Sequence, residues 1–260
     1  MTRTREGALA AEIKAACREL RLPTIAARSV ELADDARRSA QPYEAYLAAL
    51  LAAECDDRTE RRRRRRVTEA RFPRLKTVDE FSFADNPALS ARTIRELATA
   101  EFCARAENVI LIGDSGTGKT HLAIALGIAA CMTSRRVRFT TTAGLVNELL
   151  EARDERILSK VVHRYANADL LVLDELAYVP LQPSDAELLF QVIDARSEHG
   201  SIIVTTNLPF SEWTNVFPET RLCKAVVDRL TFNAHIIETG TESWRFKRSA
   251  ARRKGGTKKS

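Results

Sequence analysis

The hydrophobic pattern changes character about seventy residues into the chain. Before that point apolar residues recur at helical spacing, with almost no strand signal, and we predict three helices at residues 5–20, 24–38 and 42–70. Five apolar residues of the third helix follow the i, i+3, i+4, i+7, i+8 spacing that predicts one buried stripe: Tyr43, Tyr46, Leu47, Leu50 and Leu51. This region is expected to form a small all-helical domain.

Beyond residue 71 the pattern alternates between short apolar runs and stretches with helical periodicity. Phe72-Pro73 ends the third helix, and residues 76–83 are expected to form an extended lead-in. Unbroken apolar runs, such as residues 170–173 and 202–204, are typical of a parallel sheet covered on both faces. We therefore predict an α/β domain whose five parallel strands lie near residues 108–112, 136–141, 169–174, 201–206 and 234–238.

Composition and charge narrow the class of protein. The longest apolar run, residues 122–132, is shorter than the ~20 residues that span a bilayer, so no membrane association is expected. The five cysteines are scattered without a C-x-x-C pair, and there is no apolar leader, so we expect a reducing cytoplasm. The net charge is +6, but both ends of the chain are basic and the middle is acidic. Such basic ends are suited to a polyanion.

Six consecutive arginines follow the apolar part of the third helix. At ~100° per residue they sweep more than a full helical turn, so they cannot form one face of a packed helix. A like-charge block can be a solvated linker, or it can contact the phosphates of a nucleic acid. We favour the second interpretation and predict as DNA-binding residues Arg61, Arg62, Arg63, Arg64, Arg65 and Arg66.

A glycine-rich segment, residues 113–120, lies between a predicted strand and an apolar helix. The pattern G-x-x-x-x-G-K-T in that context predicts a phosphate-binding loop, although a tight turn with an incidental Gly-Lys-Thr is the alternative. Lys119 would reach the β- and γ-phosphates of ATP, and the Thr120 hydroxyl would hold Mg²⁺. The predicted nucleotide-binding residues are Gly113, Asp114, Ser115, Gly116, Thr117, Gly118, Lys119, Thr120 and His121.

Two further predicted strands end in polar residues. Asp174 and Glu175 follow a buried strand, and their positions predict an Mg²⁺ ligand and a general base for the attacking water, respectively. Asn207 follows the next strand and is predicted to orient that water beside the γ-phosphate. Taken alone, the acids could be a helix cap and Asn207 could serve a turn.

Arg229 and Arg245 are candidate ligands of the phosphoryl group that is transferred. Charge on that group is usually met by a lysine, Mg²⁺ and an arginine, which a neighbouring subunit often supplies. For each arginine alone, a surface salt bridge is an equal alternative.

Together these residues resemble the AAA+ ATPases, and more closely the IstB helper ATPases of IS21-type insertion sequences, which are similar to DnaC helicase loaders. The resemblance runs from about residue 20 to residue 246, and its most specific part is Asn-Leu-Pro-Phe-Ser-Glu-Trp at residues 207–213. It implies that Arg229 is a finger acting in trans and Arg245 a sensor-2 residue. The chain departs from the family at Asp114-Ser115, where two small residues or prolines are common, and at Ala177, where glycine is frequent. Only about twenty residues follow the last strand, too few for a C-terminal lid domain.

The resemblance implies a helical DNA-binding and oligomerisation domain (residues 1–70), an AAA+ P-loop αβα domain (residues 71–246) and a disordered basic tail (residues 247–260). The leading hypothesis is an ATP- and Mg²⁺-dependent AAA+ ATPase that forms a homo-oligomer on duplex DNA and recruits a cognate transposase. It is not expected to catalyse strand transfer itself. The alternatives are a DnaC-like helicase loader and a nucleotide-gated adaptor whose output is binding. A small-molecule kinase fits less well, since the chain offers no substrate lid.

Overall fold

The computed structural model describes residues 2–87, 89–197 and 199–241. By its internal contacts the chain divides into two compact units, Met1–Arg64 and Arg65–Ser260, and each is described by itself. The predicted basic tail at residues 247–260 lies outside the described residues.

The first unit is built from helices, as predicted. Helix α1 spans Thr2–Glu19, α2 spans Pro23–Arg38 and α3 spans Tyr43–Ala70, so the division between the units falls inside α3. Pro23 lies in the first turn of α2, where its missing N–H leaves no hydrogen bond unmade.

The predicted apolar stripe on α3 is only partly buried. Leu50 is buried and Tyr46 is half-buried, its hydroxyl donating to the carbonyl of Ser29 at 3.0 Å. In contrast, three residues of the stripe are exposed, so the prediction is wrong for them. The exposed fraction of the residue surface is 90% for Tyr43, 55% for Leu47 and 49% for Leu51. The buried face of α3 continues from Leu50 to Glu54, and hydrophobic periodicity cannot identify a face that includes a buried carboxylate.

Glu54 caps the start of α2. Its Oε2 atom accepts hydrogen bonds from the backbone N–H groups of Thr24, at 2.8 Å, and Ile25, at 3.1 Å. Its other oxygen accepts from Nε of Arg58 at 2.9 Å. Burial by itself raises the pKa of the Glu54 carboxyl, but the three hydrogen bonds outweigh it, so the pKa lies below its ordinary value. The first N–H groups of any helix have no acceptor within the helix, and the carboxylate supplies one here.

The second unit contains the predicted five-stranded parallel sheet, in the order β2-β3-β4-β1-β5. Its strands are β1 (Asn108–Ile112), β2 (Val137–Thr141), β3 (Leu170–Leu176), β4 (Ser201–Thr206) and β5 (Ala234–Glu238). Its helices are α4 (Ala91–Leu97), α5 (Lys119–Met132), α6 (Thr142–Asp154), α7 (Leu158–Ala166), α8 (Pro183–Arg196) and α9 (Thr220–Thr231). Short 3-10 helices span Phe83–Asp85, Glu101–Cys103 and Phe210–Asn215.

A hydrophobic core lies on each face of the sheet. Along β1 the side chains alternate, so that Ile110 joins one core while Val109 and Leu111 join the other. The first core includes residues of α6 to α9, and the second includes residues of α4 and α5. Because both faces are covered, the central strands carry unbroken apolar runs at residues 109–112, 170–173 and 202–204.

The parallel register brings three loops together at one edge of the sheet. Ile112 at the end of β1 is opposite Thr206 at the end of β4, and Leu176 of β3 is also opposite Thr206. The segments that carry Gly113, Asp174 and Asn207 therefore leave the sheet side by side. This is the edge where α/β proteins usually bind ligands.

At the opposite edge, the fully buried Arg196 joins α7, α8 and β4. Its guanidinium donates to the carbonyls of Tyr165, Ala168 (2.9 Å) and Ser201 (2.7 Å). Burial lowers the pKa of Arg196 to about 10, so it remains charged at neutral pH. The cation thus satisfies carbonyls at the end of α7, where the helix dipole favours positive charge.

Among the described residues, no helix has both the length and the hydropathy that crossing a bilayer requires.

Candidate nucleotide-binding site

The glycine-rich segment forms a loop that only glycine can build at two of its positions. Gly118, directly before α5, has a φ of +98°, and a Cβ placed there would lie 2.5 Å from the ring of Phe81. Gly113 has a φ of +154°, and its Cβ would lie 2.7 Å from the carbonyl oxygen of Gly240. A side chain at either position would collide with its neighbours and strain the backbone.

Lys119 and Thr120 begin helix α5. Lys119 is only 7% exposed, and its ammonium donates to the carbonyls of Gly113 at 2.6 Å and Asp114 at 2.8 Å. It is thus held beside the loop, close to the positive end of the helix dipole. A phosphate oxygen in the loop would accept the same protons. The Thr120 hydroxyl donates to Oδ1 of Asp174 at 3.0 Å.

Asp174 lies beneath the loop and is nearly buried. Its Oδ1 accepts from the hydroxyls of Thr120 and Thr205, the latter at 2.5 Å. Its backbone carbonyl accepts from the Thr142 hydroxyl at 3.2 Å. A carboxylate beside a threonine hydroxyl is the donor set that Mg²⁺ prefers, so these residues fit the predicted ion. Thr205 was not among the predicted site residues.

Glu175 leaves the strand in an unusual conformation. Its φ is +61°, that of Ala177 is +63°, and the pairing of β3 with β4 shifts between Leu173 and Leu176. The backbone N–H of Glu175 donates to Oγ1 of Thr205 at 2.9 Å. Through this irregularity Asp174 remains buried while Glu175 is exposed at the site.

A cavity of about 590 Å³ lies above these groups. Nine of the predicted residues line it, whereas Gly113, Asp114 and Asp174 do not. Its volume is within the range of small-molecule sites. The predicted residues that line it are Ser115, Gly116, Thr117, Gly118, Lys119, Thr120, His121, Glu175 and Asn207.

One wall of the cavity was missed by the sequence analysis. It comes from the segment before residue 87, which was expected to be an extended lead-in. That expectation is wrong, because residues 78–81 turn and Phe83–Asp85 is a 3-10 helix. The Phe81 ring contacts those of Phe83 and His121, with centroids 5.0 and 5.3 Å apart, and so folds the segment over the start of α5. The wall consists of Arg74, Lys76, Glu80, Phe81, Ser82, Asp85 and Asn86, and Tyr178 lines the cavity as well.

Of the two candidate arginines, only Arg229 falls among the described residues, and it does not line this cavity. Arg229 lies in the last turn of α9, where its Nε donates to Asp194 at 3.0 Å and its Nη1 to Asp228 at 3.2 Å. Its carbonyl accepts from the amide of Asn108, at the amino end of β1, at 3.3 Å. Arg245 lies outside the described residues.

The arginine run is helical. In the first unit, Arg61 pairs with Asp57 at 2.8 Å and also donates to the Thr24 hydroxyl at 2.6 Å. Arg64 pairs with Glu60 at 2.8 Å. Arg62 is exposed, and within the described part of the chain it has no ion-pair partner. Arg63, also in the first unit, is half-buried. In the second unit, Arg65 and Arg66 both form ion pairs with Glu69, at 3.4 and 3.2 Å.

The sheet has the order β2-β3-β4-β1-β5. It carries a phosphate loop after β1, two acids at the end of β3 and a polar residue after β4. Together these features define an AAA+ ATPase. The profile of the IstB-like ATP binding protein family matches residues 15–252. The chain belongs to this family, and it is an ATP-binding ATPase of the IstB type.

Similar proteins agree with this assignment. The chain is 40% identical to a protein of Sinorhizobium fredii named as an insertion-sequence ATP-binding protein, over 89% of this chain and 78% of the relative. It is 36% identical to a protein named as the ATP-binding protein of insertion sequence IS5376 in Geobacillus stearothermophilus, over 89% of this chain and 92% of the relative. The fold resembles that of AMPPCP-bound DnaA from Aquifex aeolicus (TM-score 0.53, 20% identity), over 62% of this chain and 50% of that one.

The comparisons thus confirm the family that the sequence motifs indicated, and with it the binding of ATP. The similarity to DnaA confirms the AAA+ fold.

Proposed function

We propose that this chain is the ATP-dependent regulator of an insertion sequence. ATP bound between subunits orders a homo-oligomer on duplex DNA, the oligomer recruits a separate transposase, and hydrolysis releases or remodels the complex. The names of the relatives as insertion-sequence ATP-binding proteins support this setting over the loading of a helicase.

In the proposed reaction each group at the cavity has one role. Lys119 neutralises the β- and γ-phosphates, and Thr120 and Asp174 would hold Mg²⁺, which would supply further neutralisation of phosphate charge. Glu175 accepts a proton from the attacking water, and Asn207 orients that water. The position of Glu175 at the cavity, above the buried Asp174, supports this division of roles.

The position of Arg229 is the observation that most supports an oligomer. Its carbonyl is bound by Asn108, at the amino end of β1, while the phosphate loop follows the carboxyl end of the same strand. At ~3.3 Å per residue the two ends of β1 are about 13 Å apart. Asp194, which holds the guanidinium, lies near the end of α8, just before β4 begins. Arg229 is therefore remote from its own nucleotide, and we propose that it contacts the γ-phosphate bound by the next subunit.

A mixing experiment tests this proposal. We expect Lys119→Ala and Arg229→Ala each to lose ATPase activity, the latter by about a thousandfold as for other arginine fingers. An equimolar mixture should recover part of the wild-type rate, because one variant supplies an intact phosphate loop and the other an intact Arg229. Arg221→Ala, at an exposed position of α9, is the matched control and should retain full activity. A mixture no more active than its components would reject the shared site.

We further propose that residues 1–70 bind duplex DNA through the arginine run, mainly at phosphates, and that residues 71–246 form the ATPase domain. Not all six arginines are equally available. Arg61 is held by Asp57 and Thr24, so a phosphate would have to displace both, whereas Arg62 is exposed. We therefore expect Arg62 to contribute more than Arg61.

Salt titration of DNA binding tests the role of the run. The logarithm of the affinity should fall linearly with the logarithm of the salt concentration, with a slope that reports the phosphates contacted. Arg62→Ala should weaken binding and make that slope shallower by about one contact. Arg61→Ala should have a smaller effect, and Arg92→Ala, on the exposed surface of α4, none. Salt-insensitive binding would reject the proposed phosphate contacts.

A further inference from the structure

Asn86 binds two segments of backbone at the nucleotide site. Its Nδ2 donates to the carbonyl of Thr117, in the phosphate loop, at 3.2 Å. The same nitrogen donates to the carbonyl of Thr239, just after β5, at 2.9 Å. A carboxamide has two N–H donors, and both are used here.

A second layer of hydrogen bonds joins the same two segments. The hydroxyls of Thr117 and Thr239 are 2.6 Å apart, and the Thr239 hydroxyl also donates to the carbonyl of Ile112 at 3.2 Å. The backbone N–H of Asp114 donates to the carbonyl of Gly240 at 3.1 Å. The phosphate loop is thus braced on the residues that follow β5, with Asn86 spanning the junction.

The bond to Thr117 has a consequence for the next residue. The carbonyl of Thr117 and the N–H of Gly118 belong to one peptide unit, which is planar and trans, so the two groups point in opposite directions. By holding the Thr117 carbonyl, Asn86 turns the Gly118 N–H away from itself. That N–H is one of the backbone donors of the predicted phosphate site.

We propose that Asn86 is a positioning residue for ATP: it fixes the Thr117–Gly118 peptide in the orientation that binds phosphate. The inference rests on the proposed nucleotide site. It also explains why a residue of the preceding segment lines the cavity, since Asn86 is the last member of the wall that begins at Arg74.

Two substitutions at this position test the proposal in the full-length chain. Asn86→Ala removes both donors, and Asn86→Asp keeps the shape but places a carboxylate against two carbonyl oxygens. We expect the KM for ATP to rise about tenfold, as the loss of a hydrogen bond or two predicts, with kcat changed less than twofold. Binding of a fluorescent ATP analogue should weaken by the same factor. Asn215→Ala, an exposed asparagine on another element, should leave both parameters unchanged.

An unchanged KM for ATP in Asn86→Asp or Asn86→Ala would overturn the proposal. If the KM is unchanged while the melting temperature of the nucleotide-free variant falls, the role of Asn86 is purely structural, and the proposal is overturned as well. Lys119→Ala separates this failure from a failure of the site itself. If Lys119→Ala abolishes binding of the analogue while the Asn86 variants bind normally, the site is correct and the role of Asn86 is wrong.

Discussion

The hydroxyl of Thr205 lies 2.5 Å from a carboxylate oxygen of Asp174 and also accepts the backbone N–H of Glu175 at 2.9 Å. One buried side chain of β4 therefore positions both acids at the end of β3. It orients the carboxylate of Asp174, and it fixes the backbone where Glu175 turns out of the strand. A hydroxyl can do both because it is a donor and an acceptor at once.

Replacing Thr205 with valine should weaken the use of Mg²⁺. The substitution keeps the shape of the side chain but removes the hydrogen bond that orients Asp174. Loss of a partner that orients a metal ligand typically weakens metal binding ten- to a hundredfold, so the Mg²⁺ concentration for half-maximal ATPase activity should rise by about tenfold or more. The measurement is a Mg²⁺ titration of ATPase activity at saturating ATP.

The neighbouring Thr206 provides the matched control, since it is equally buried and its hydroxyl serves the turn at Leu208 instead. Thr206→Val should leave the Mg²⁺ requirement near that of the wild type. Equal shifts in both variants would mean that burial of a valine, and not the bond to Asp174, causes the effect.

Ala177→Gly should leave the stability of the protein within about 1 kcal/mol of the wild type. Ala177 has a φ of +63°, a conformation that costs a residue with a Cβ about 1–2 kcal/mol, and glycine relieves that strain. Glycine also loses more conformational entropy on folding, about 0.5–1 kcal/mol, and the substitution removes a buried methyl group worth about 0.8 kcal/mol. Without strain at residue 177, these last two effects alone would lower the free energy of unfolding by about 1.3–1.8 kcal/mol. A loss of that size, measured by thermal or chemical unfolding, would contradict the strain inferred at this position.

Local pattern predicts much of this fold, because the strands and helices leave strong signals. Short runs rich in apolar residues located all five strands, although β2 and β5 are interrupted by polar residues. The glycine-rich loop and Asp174 identified the ligand-binding edge, since parallel strands end together. The lead-in was misjudged because Phe81 folds over α5 through contacts with His121, more than thirty residues away. Such a contact leaves no periodicity along the chain.

Buried polar groups are the other part that the sequence could not supply. Arg196 and Glu54 are charged residues on helices, and a hydrophobic pattern assigns them to the surface. Each is buried because it satisfies backbone groups at a helix end, the carbonyls of α7 and the N–H groups of α2. Only the packed structure shows which helix ends meet which side chains.

Glu54→Gln should loosen the start of α2 in a pH-dependent way. The uncharged amide oxygen cannot accept from the N–H groups of Thr24 and Ile25 as strongly as the carboxylate, and the amide NH2 then faces the Arg58 guanidinium, itself a donor, so we expect a loss of about 1–3 kcal/mol at pH 7. The pKa of Glu54 is lower in the folded protein than its ordinary value of 4.5. The unfolded chain therefore takes up the proton first, and the stabilisation is present above pH 4.5 and lost as the pH falls below it.

Hydrogen exchange of the α2 amides at pH 7 and below pH 4.5, expressed as free energies of opening, measures this difference. The gap between wild type and Glu54→Gln should narrow in acid. Glu60→Gln, which removes an exposed pair with Arg64, should change the exchange little at either pH. A gap that stays constant with pH would show that the charge of Glu54 is not what caps α2.

Glu175→Gln separates a remodelling ATPase from an adaptor whose output is binding. The amide cannot accept the proton of the attacking water, so hydrolysis should fall by at least about a hundredfold, within the range for loss of a general base. ATP binding should be retained, because Lys119 and the phosphate loop are unchanged. If the proposed function is correct, the variant assembles on DNA with ATP and captures transposase, but the complex neither dissociates nor completes transposition. An adaptor would support transposition at the wild-type level in this trapped state, and that result would assign hydrolysis to a slow reset. The two outcomes are distinguished by measuring strand-transfer products and the lifetime of the DNA complex in the same reaction.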